Sequence, residues 1–400
     1  MTQRVLVVDE ELPWPANTGK RLRTFNLLTA LSGSFQIDLL VHANGDTPEA
    51  RAALESRGIR VHVASSRVPG RSGLSFPLRL AGSLLKGLPY SVDSHHQPAF
   101  AAHLARLVAT TRFDLLHCEW TPYATYAMAH ALPVCIAAHN VEWEIWSRTA
   151  ATERRPAHHL LFSAQTALMR RFEQRVFSRF GHATAVSTGD AARIADMGCT
   201  HVTVVPNGVD ATLYMPSDTD DVPPRSLVFS GSMDWRANQD AIQWFIDEVH
   251  PLLVAQGDYQ FHVVGRSPPS WLQDPARVPR QVVVTGAVDR VQPYIANAAV
   301  YVVPLRVGGG SRLKILEALS MGRAVVSTAV GAEGLDVTPG VDIVIADSAA
   351  DFAAATEALW RDQSGRQRLG AAGRALIERQ YRWEQIAPLQ AAAWRAAIAG

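Results

Sequence analysis

Cysteine is scarce, long apolar runs are missing and neither sign of charge dominates, and each shortage removes a class of protein. Among 400 residues there are three cysteines, Cys118, Cys135 and Cys199, an odd number set far apart. Cys118 and Cys135 stand in or beside apolar, strand-like runs, where a thiol packs as a small hydrophobe. A disulfide scaffold does not fit, and three reduced thiols in a cytoplasmic, reducing compartment are expected. No uninterrupted apolar stretch approaches the roughly 18 residues that a membrane span needs. Met1-Thr2-Gln3-Arg4 leads into only Val5 to Val8 before Asp9, Glu10 and Glu11, which resembles neither a secretory leader nor a span. Any membrane contact is therefore expected to be peripheral. A formal net charge of +1 gives no global attraction to polyanions, so no nucleic-acid partner is expected. There is no G-x-x-x-x-G-K-[ST] loop and no G-x-G-x-x-G after the first strand, so kinases and nicotinamide enzymes recede.

What is present is substance for two cores. Four hundred residues, 48% apolar and 19% charged, suit two domains of roughly 150 to 200 residues with a cleft between them. Short β-branched runs alternate with amphipathic stretches, the pattern of parallel sheets covered by helices on both faces. Strands are expected near Arg4 to Val8, Gln36 to Val41, Arg60 to Val63, Leu115 to Cys118, Val134 to Ala138, Ala183 to Val186 and Val202 to Val205. Thr121-Pro122 reads as a helix start, a hydroxyl cap followed by proline. Residues Met215 to Arg225, rich in acids and proline, read as the linker. The pattern then restarts at Leu227 to Gly231 and continues at Phe261 to Val264, Val282 to Val284, Val300 to Val303, Ala324 to Ser327 and Asp342 to Ile345. A last helix over about 383–398 has no strand after it and is free to pack elsewhere.

The chemistry concentrates in Val302 to Glu317, which reads strand, glycine loop, helix. Ligands of open parallel sheets bind beyond the carboxyl ends of strands, and Gly308-Gly309-Gly310 would let backbone amides approach a phosphate at a helix N-terminus. Arg312 and Lys314 fall in the first turn, where the helix dipole disfavours cations unless an anion is near, so a diphosphate partner is expected. Glu317 lies on a helix apolar nearly all round and is expected to be largely buried, with paired ribose hydroxyls as natural donors to it. An ordinary Lys314–Glu317 ion pair, worth only about 0.2 to 0.5 kcal/mol, is the simpler alternative.

These residues resemble the family 4 glycosyltransferases, and the resemblance covers nearly the whole chain, most strongly Val202 to Leu335. Val204-Val205-Pro206-Asn207-Gly208-Val209-Asp210 is similar to the family's interdomain turn. Phe229 to Trp235, with Gly231, is similar to the turn opening its donor domain, and Gly308 to Glu317 with Ala318, Leu319, Gly322 and Val325 to Thr328 to its donor-binding segment. The family often carries two acids there separated by seven residues; Gly309 stands where the first would be.

The resemblance implies an α/β, GT-B fold: two facing, Rossmann-like, doubly wound domains with a cleft between them. It places an acceptor-side domain over 1–207, a nucleotide-sugar domain over 208–383, and a helix over 384–400 that packs back on the first. It implies a glycosyltransferase moving a sugar from a nucleotide-diphosphate-sugar, as substrate rather than cofactor, to a glycan, lipid-linked or small-molecule acceptor, with retention and without a bound metal. Arg312 and Lys314 would hold the leaving diphosphate, Gly19 and Gly310 would offer backbone donors, and Arg23 and Gly231 would line the donor site. His139 would contact the transferred sugar, Glu317 the ribose and Glu333 the donor. Glu119 and Trp120, ending the neighbouring strand, are acceptor-side candidates. Basic and apolar residues at helical spacing over 154–179 could rest on anionic lipid or form an ordinary solvated face. A sugar-nucleotide epimerase and a non-catalytic sugar-nucleotide binding protein stay open as alternatives.

Overall fold

The computed structural model describes residues 2–70, 75–153, 155–216, 222–307 and 312–400. Two sheets form, built from parallel pairings. The first has seven strands in the order β3-β2-β1-β4-β5-β6-β7. Its strands are β1 (Arg4–Val8), β2 (Gln36–His42), β3 (Arg60–Ala64), β4 (Leu115–Cys118), β5 (Val134–Ala138), β6 (His182–Ala185) and β7 (His201–Val204). The second has six in the order β10-β9-β8-β11-β12-β13, formed by β8 (Ser226–Ser230), β9 (Gln260–Val264), β10 (Val282–Gly286), β11 (Val300–Val303), β12 (Ala324–Ser327) and β13 (Val344–Ile345). Val5 to Val8 and Val300 to Val303 are fully buried. Continuous apolar runs are what strands covered on both faces require.

Six helices matter below. Helix α1 (Gly19–Leu31) starts where the Thr18 hydroxyl accepts from the Arg21 N–H. Helices α2 (Glu142–Thr152) and α3 (Pro156–Phe180) are joined by a buried carboxylate: Glu173 accepts from the backbone N–H groups of Glu142 (3.0 Å) and Trp143 (2.9 Å), covering the open start of α2. Gly181 ends α3 in the left-handed region at φ 71°, where glycine has no side chain to clash. Helices α4 (Arg236–Trp244) and α5 (Leu313–Ser320) flank the second sheet, and α6 (Trp383–Ala399) closes the chain. Among the described residues, no helix is long and apolar enough to cross a membrane.

The chain divides into two compact units, Met1–Pro206 with Ile386–Gly400, and Asn207–Gln385. The last helix thus ends in the first unit, where the fully buried Trp394 meets Phe35 edge-on and packs on His117, both at 5.2 Å between ring centroids. The linker expected at Met215 to Arg225 is not one, and its residues 217–221 lie outside the described set. Val209, Ala211 and Tyr214, just before it, are already in the second unit's core. Gly208 serves close approach: a Cβ there would stand 2.7 Å from the Trp383 indole, and the Val209 N–H donates to the Tyr381 carbonyl (2.8 Å). Thr121 does not cap a helix either. A 3-10 turn over Thr121–Tyr123 starts at Trp120 without a side-chain cap, because Thr121 and Tyr123 are packed into the core. All three cysteines are free and buried, and burial raises each thiol's pKa.

Removing the Trp394 side chain would leave a large cavity in the first unit. Trp394→Ala should cost about 3 to 5 kcal/mol in urea unfolding, and a loss under about 1 kcal/mol would contradict this packing.

Candidate active site

Each sheet reverses its winding once, between β1 and β4 in the first and between β8 and β11 in the second. At such a point the helices after the two strands leave toward opposite faces, and the carboxyl ends between them stay open. The described site candidates gather at these two edges.

In the first unit, Asp9 follows β1, Glu119 and Trp120 follow β4, and His139 follows β5. Glu119 is only 3% exposed and is the hub. One carboxylate oxygen accepts from the Thr24 hydroxyl of α1 (2.9 Å), and the other pairs with His117 Nε2 (3.0 Å). Burial alone would raise its pKa, but the bond from His117 and the charges of His117, His139 and Arg23 hold it down at about 2. The expected acceptor-side role for Glu119 does not match this enclosure, because its oxygens are spent inside the unit.

What Glu119 holds is His139. The His139 Nε2 lies 2.6 Å from the Glu119 backbone oxygen and 3.5 Å from its Oε1. A carbonyl can only accept, so Nε2 carries the proton and Nδ1 is left as an acceptor. Burial pushes the His139 pKa down to about 4, with Arg23 and Lys20 reinforcing and Glu119 opposing. The ring is therefore neutral at neutral pH, suited to receive a hydroxyl's hydrogen bond.

Trp120 is partly exposed, and its Nε1 donates to Glu142 Oε1 (2.9 Å), which fixes the indole. The Lys20 ammonium lies 5.6 Å from the centre of its ring and 2.6 Å from the buried Asp9. Gly19 is the first residue of α1, so its N–H belongs to the open start of that helix. Arg23 departs from expectation. It is 2% exposed, and its guanidinium donates to the carbonyls of Val205 and Pro206, both at 2.8 Å. It ties α1 to the segment after β7, too deep to meet a phosphate.

In the second unit, Arg312 is expected in the first turn of a helix but stands just before it, in the left-handed region at φ 48°, as the residue from which α5 starts. Its guanidinium is 5% exposed and bonds to the Glu333 carboxylate (3.1 Å) and backbone oxygen (3.2 Å). Glu333 is thus the counter-ion of Arg312. Gly310 lies with Gly308, Gly309 and Ser311 outside the described residues.

Lys314, two residues on, is treated differently. Its ammonium donates to Asn238 Oδ1 (2.8 Å) and lies 4.1 Å from the centre of the Phe229 ring. Burial pushes its pKa down to about 7, with Glu317 opposing and Arg312 reinforcing. Glu317 is largely buried, as expected, and Tyr214 donates a side-chain hydrogen bond to it. Burial pushes Glu317 up to about 7, against that bond and the Lys314 charge. Lys314 and Glu317 are therefore directed to Asn238 and Tyr214, unlike a simple surface ion pair. Gly231 has its N–H paired with the Val264 carbonyl (2.9 Å), so it offers no amide to a ligand. Its lack of a side chain makes room: a Cβ would stand 2.8 Å from Asn238 Nδ2 and 2.9 Å from Lys314 Nζ.

Sequence reading missed Asn238, Tyr214 and His117. Asn238 in the first turn of α4 reads as an ordinary early helix residue, and Tyr214 as one more aromatic beside a turn. Only His117, on β4 two residues before Glu119, had a local signal, since residues two apart in extended chain share a face.

Residues 49–213 match the family described as Glycosyltransferase Family 4, and residues 224–362 match Glycosyl transferases group 1. An uncharacterized 44.6 kDa protein in the cps region of Klebsiella pneumoniae is 21% identical over 364 residues, covering 88% of this chain and 89% of the relative. Among solved structures, sucrose-phosphate synthase from Thermosynechococcus elongatus superposes with a TM-score of 0.71 at 17% identity, covering 99% of each chain. HepE of Anabaena, solved in complex with UDP and glucose, superposes with a TM-score of 0.68 at 16% identity, covering 98% of this chain and 100% of its own.

A carboxyl depressed on folding adds stability that is present above its unfolded pKa and lost as pH falls through the folded one. For Glu119 that window runs from its ordinary value of 4.5 down to about 2. Acid unfolding followed by circular dichroism should be less steep there in Glu119→Gln than in the unmodified protein. Superimposable acid limbs would mean that Glu119 is not the hub.

Proposed function

We propose that this protein, a family 4 glycosyltransferase of GT-B architecture, moves a sugar from a uridine-diphosphate sugar to a hydroxyl-bearing glycan, with retention of anomeric configuration and without a bound metal. The observation that carries the donor reading is the edge between β8 and β11, where α5 presents a lysine cation and, one turn on, a carboxylate. A cation beside a helix N-terminus suits a diphosphate, and a largely buried carboxylate suits the paired hydroxyls of ribose. The UDP and glucose held by HepE support uridine as the nucleotide.

On this reading Lys314 stabilises the diphosphate as the glycosidic bond breaks, and Arg312, neutralised by Glu333, shapes the start of α5 and adds a weaker field. Preorganised charge of this kind can be the largest catalytic contribution, and it does the work a metal ion would otherwise do. Gly19, at the open start of α1, offers a backbone N–H to a phosphate. His139 accepts from a sugar hydroxyl through Nδ1, and Trp120 offers an indole to the acceptor. The epimerase reading has less support, because the groups on these edges suit anion and hydroxyl binding rather than proton exchange at a sugar carbon.

The reaction runs, on this proposal, in the cytoplasm at the inner face of the membrane. Helix α3 exposes Arg170, Arg171, Arg175 and Arg179, and Leu160, on the same helix, is 72% exposed; residue 154 lies outside the described set. A basic face with exposed leucine suits anionic lipid. Equal co-sedimentation with anionic and neutral vesicles would remove this part of the proposal.

The decisive experiment is a thermal-shift panel of uridine, guanosine and adenosine diphosphates and their sugar conjugates. A ligand at 100 times its dissociation constant stabilises by about 2.7 kcal/mol. A uridine-selective shift that disappears in Glu317→Ala is expected. No shift with any nucleotide would overturn the donor reading, and release of an altered sugar nucleotide without acceptor would favour the epimerase.

A further inference from the structure

We infer that Asn238 is the positioning residue of Lys314: its neutral carboxamide holds the ammonium at the carboxyl end of β8 and, bringing no charge, leaves the cation's field to the leaving diphosphate. This rests on the donor reading above and adds a residue that the reading did not use.

Asn238 is 3% exposed and its two amide atoms have fixed duties. Nδ2 donates to the Ser232 carbonyl (2.8 Å), and Oδ1 accepts from Lys314 Nζ (2.8 Å). The assignment follows from chemistry, because the reverse orientation would set oxygen against oxygen and N–H against ammonium. The bond from Nδ2 anchors the amide to the turn after β8, and its own N–H bonds to the Trp235 carbonyl (3.0 Å), so the acceptor aimed at Lys314 is held at both ends. The Phe229 ring faces the ammonium at 4.1 Å, and Gly231 leaves the space in which the amide and the ammonium meet. An ammonium has three donors; Asn238 takes one and the ring faces part of the remainder, so capacity for an anion is retained.

The choice of a neutral partner separates Lys314 from Arg312 and Arg306. Arg312 is answered by Glu333, and Arg306, after β11, by Asp240 at 2.7 and 3.2 Å. Had position 238 been an aspartate, the same geometry would have cancelled the charge. The charged groups facing Lys314 are then Arg312, which disfavours its protonated form, and Glu317, which favours it. Glu317 in turn is faced by Tyr214 and Tyr301.

The test compares Asn238→Asp and Asn238→Ala with the unmodified protein, measuring uridine diphosphate affinity by calorimetry from pH 6 to 9. The unmodified protein should bind best near pH 7, more weakly above it as Lys314 loses its proton and more weakly below it as Glu317 gains one. Asn238→Asp keeps an acceptor oxygen but adds a charge. It should bind about tenfold or more weakly at pH 6.5, with its alkaline decline moved to higher pH because the carboxylate holds the proton on Lys314. Asn238→Ala should lose affinity without that upward move. An Asn238→Asp profile that matches the unmodified protein in height and position, or that merely parallels Asn238→Ala, would overturn the assignment. Lys314→Met keeps the two readings apart. Nucleotide binding that is lost in Lys314→Met but indifferent to Asn238→Asp would leave the donor site standing and remove only the role of Asn238.

Discussion

A parallel sheet has one place where it cannot cover its own strand ends, the point where its winding reverses. The chain meets this constraint twice, at β1/β4 and at β8/β11. The described polar residues of interest lie at or beside these points: Asp9, Glu119 and Trp120 follow β1 and β4, His139 follows the neighbouring β5, and Lys314 and Glu317 lie on α5 after β11. The apolar strands behind them, Val5 to Val8 and Val300 to Val303, are buried outright. They are a rigid backing on which a few polar groups can be aimed.

Within that frame, the partners given to each charge distinguish fixing from function. Arg23 is spent on backbone carbonyls, Arg312 on Glu333 and Glu119 on Thr24 and His117. These groups hold structure, and a buried charge without such partners would be costly. His139 and Lys314 are held from one side by neutral acceptors, a backbone oxygen and an amide oxygen. Each keeps a further bonding capacity, an Nδ1 lone pair in one and N–H donors in the other.

The strand positions were legible in the sequence because most buried strands are short apolar runs, many of them β-branched. Leu115 to Cys118, Val134 to Ala138 and Val300 to Val303 fall where those runs stand. Boundaries that depend on distant packing were not legible. Met215 to Arg225 has a linker's composition, yet the preceding Tyr214 is buried in the second unit and its carbonyl accepts from the Ser320 hydroxyl (2.7 Å), 106 residues on. The Gly231 motif was visible, but its meaning was not, since the space it leaves is filled by Asn238 and by Lys314 from another helix. The resemblance placed Arg23 in the donor site because the loop before it is local in sequence, while the carbonyls of Val205 and Pro206 that absorb its charge come 182 and 183 residues later.

Lys314 and Glu317, three residues apart, are both brought to about 7, the one lowered and the other raised by burial. Two such groups near neutrality make the charge of the edge depend on what occupies it. A diphosphate favours the protonated ammonium, and ribose hydroxyls donating to the carboxylate favour its ionised form. Each half of a nucleoside diphosphate therefore restores the ordinary charge of one group, and each restored charge favours the other across the helix turn. On the proposed reading, the two halves bind more favourably joined than their separate contacts imply, because occupying either one prepares the site for the other. Discrimination then comes from helical spacing: the cation and the carboxylate stand one turn apart, and a ligand that supplies only an anion or only a diol leaves the second group in its depleted state.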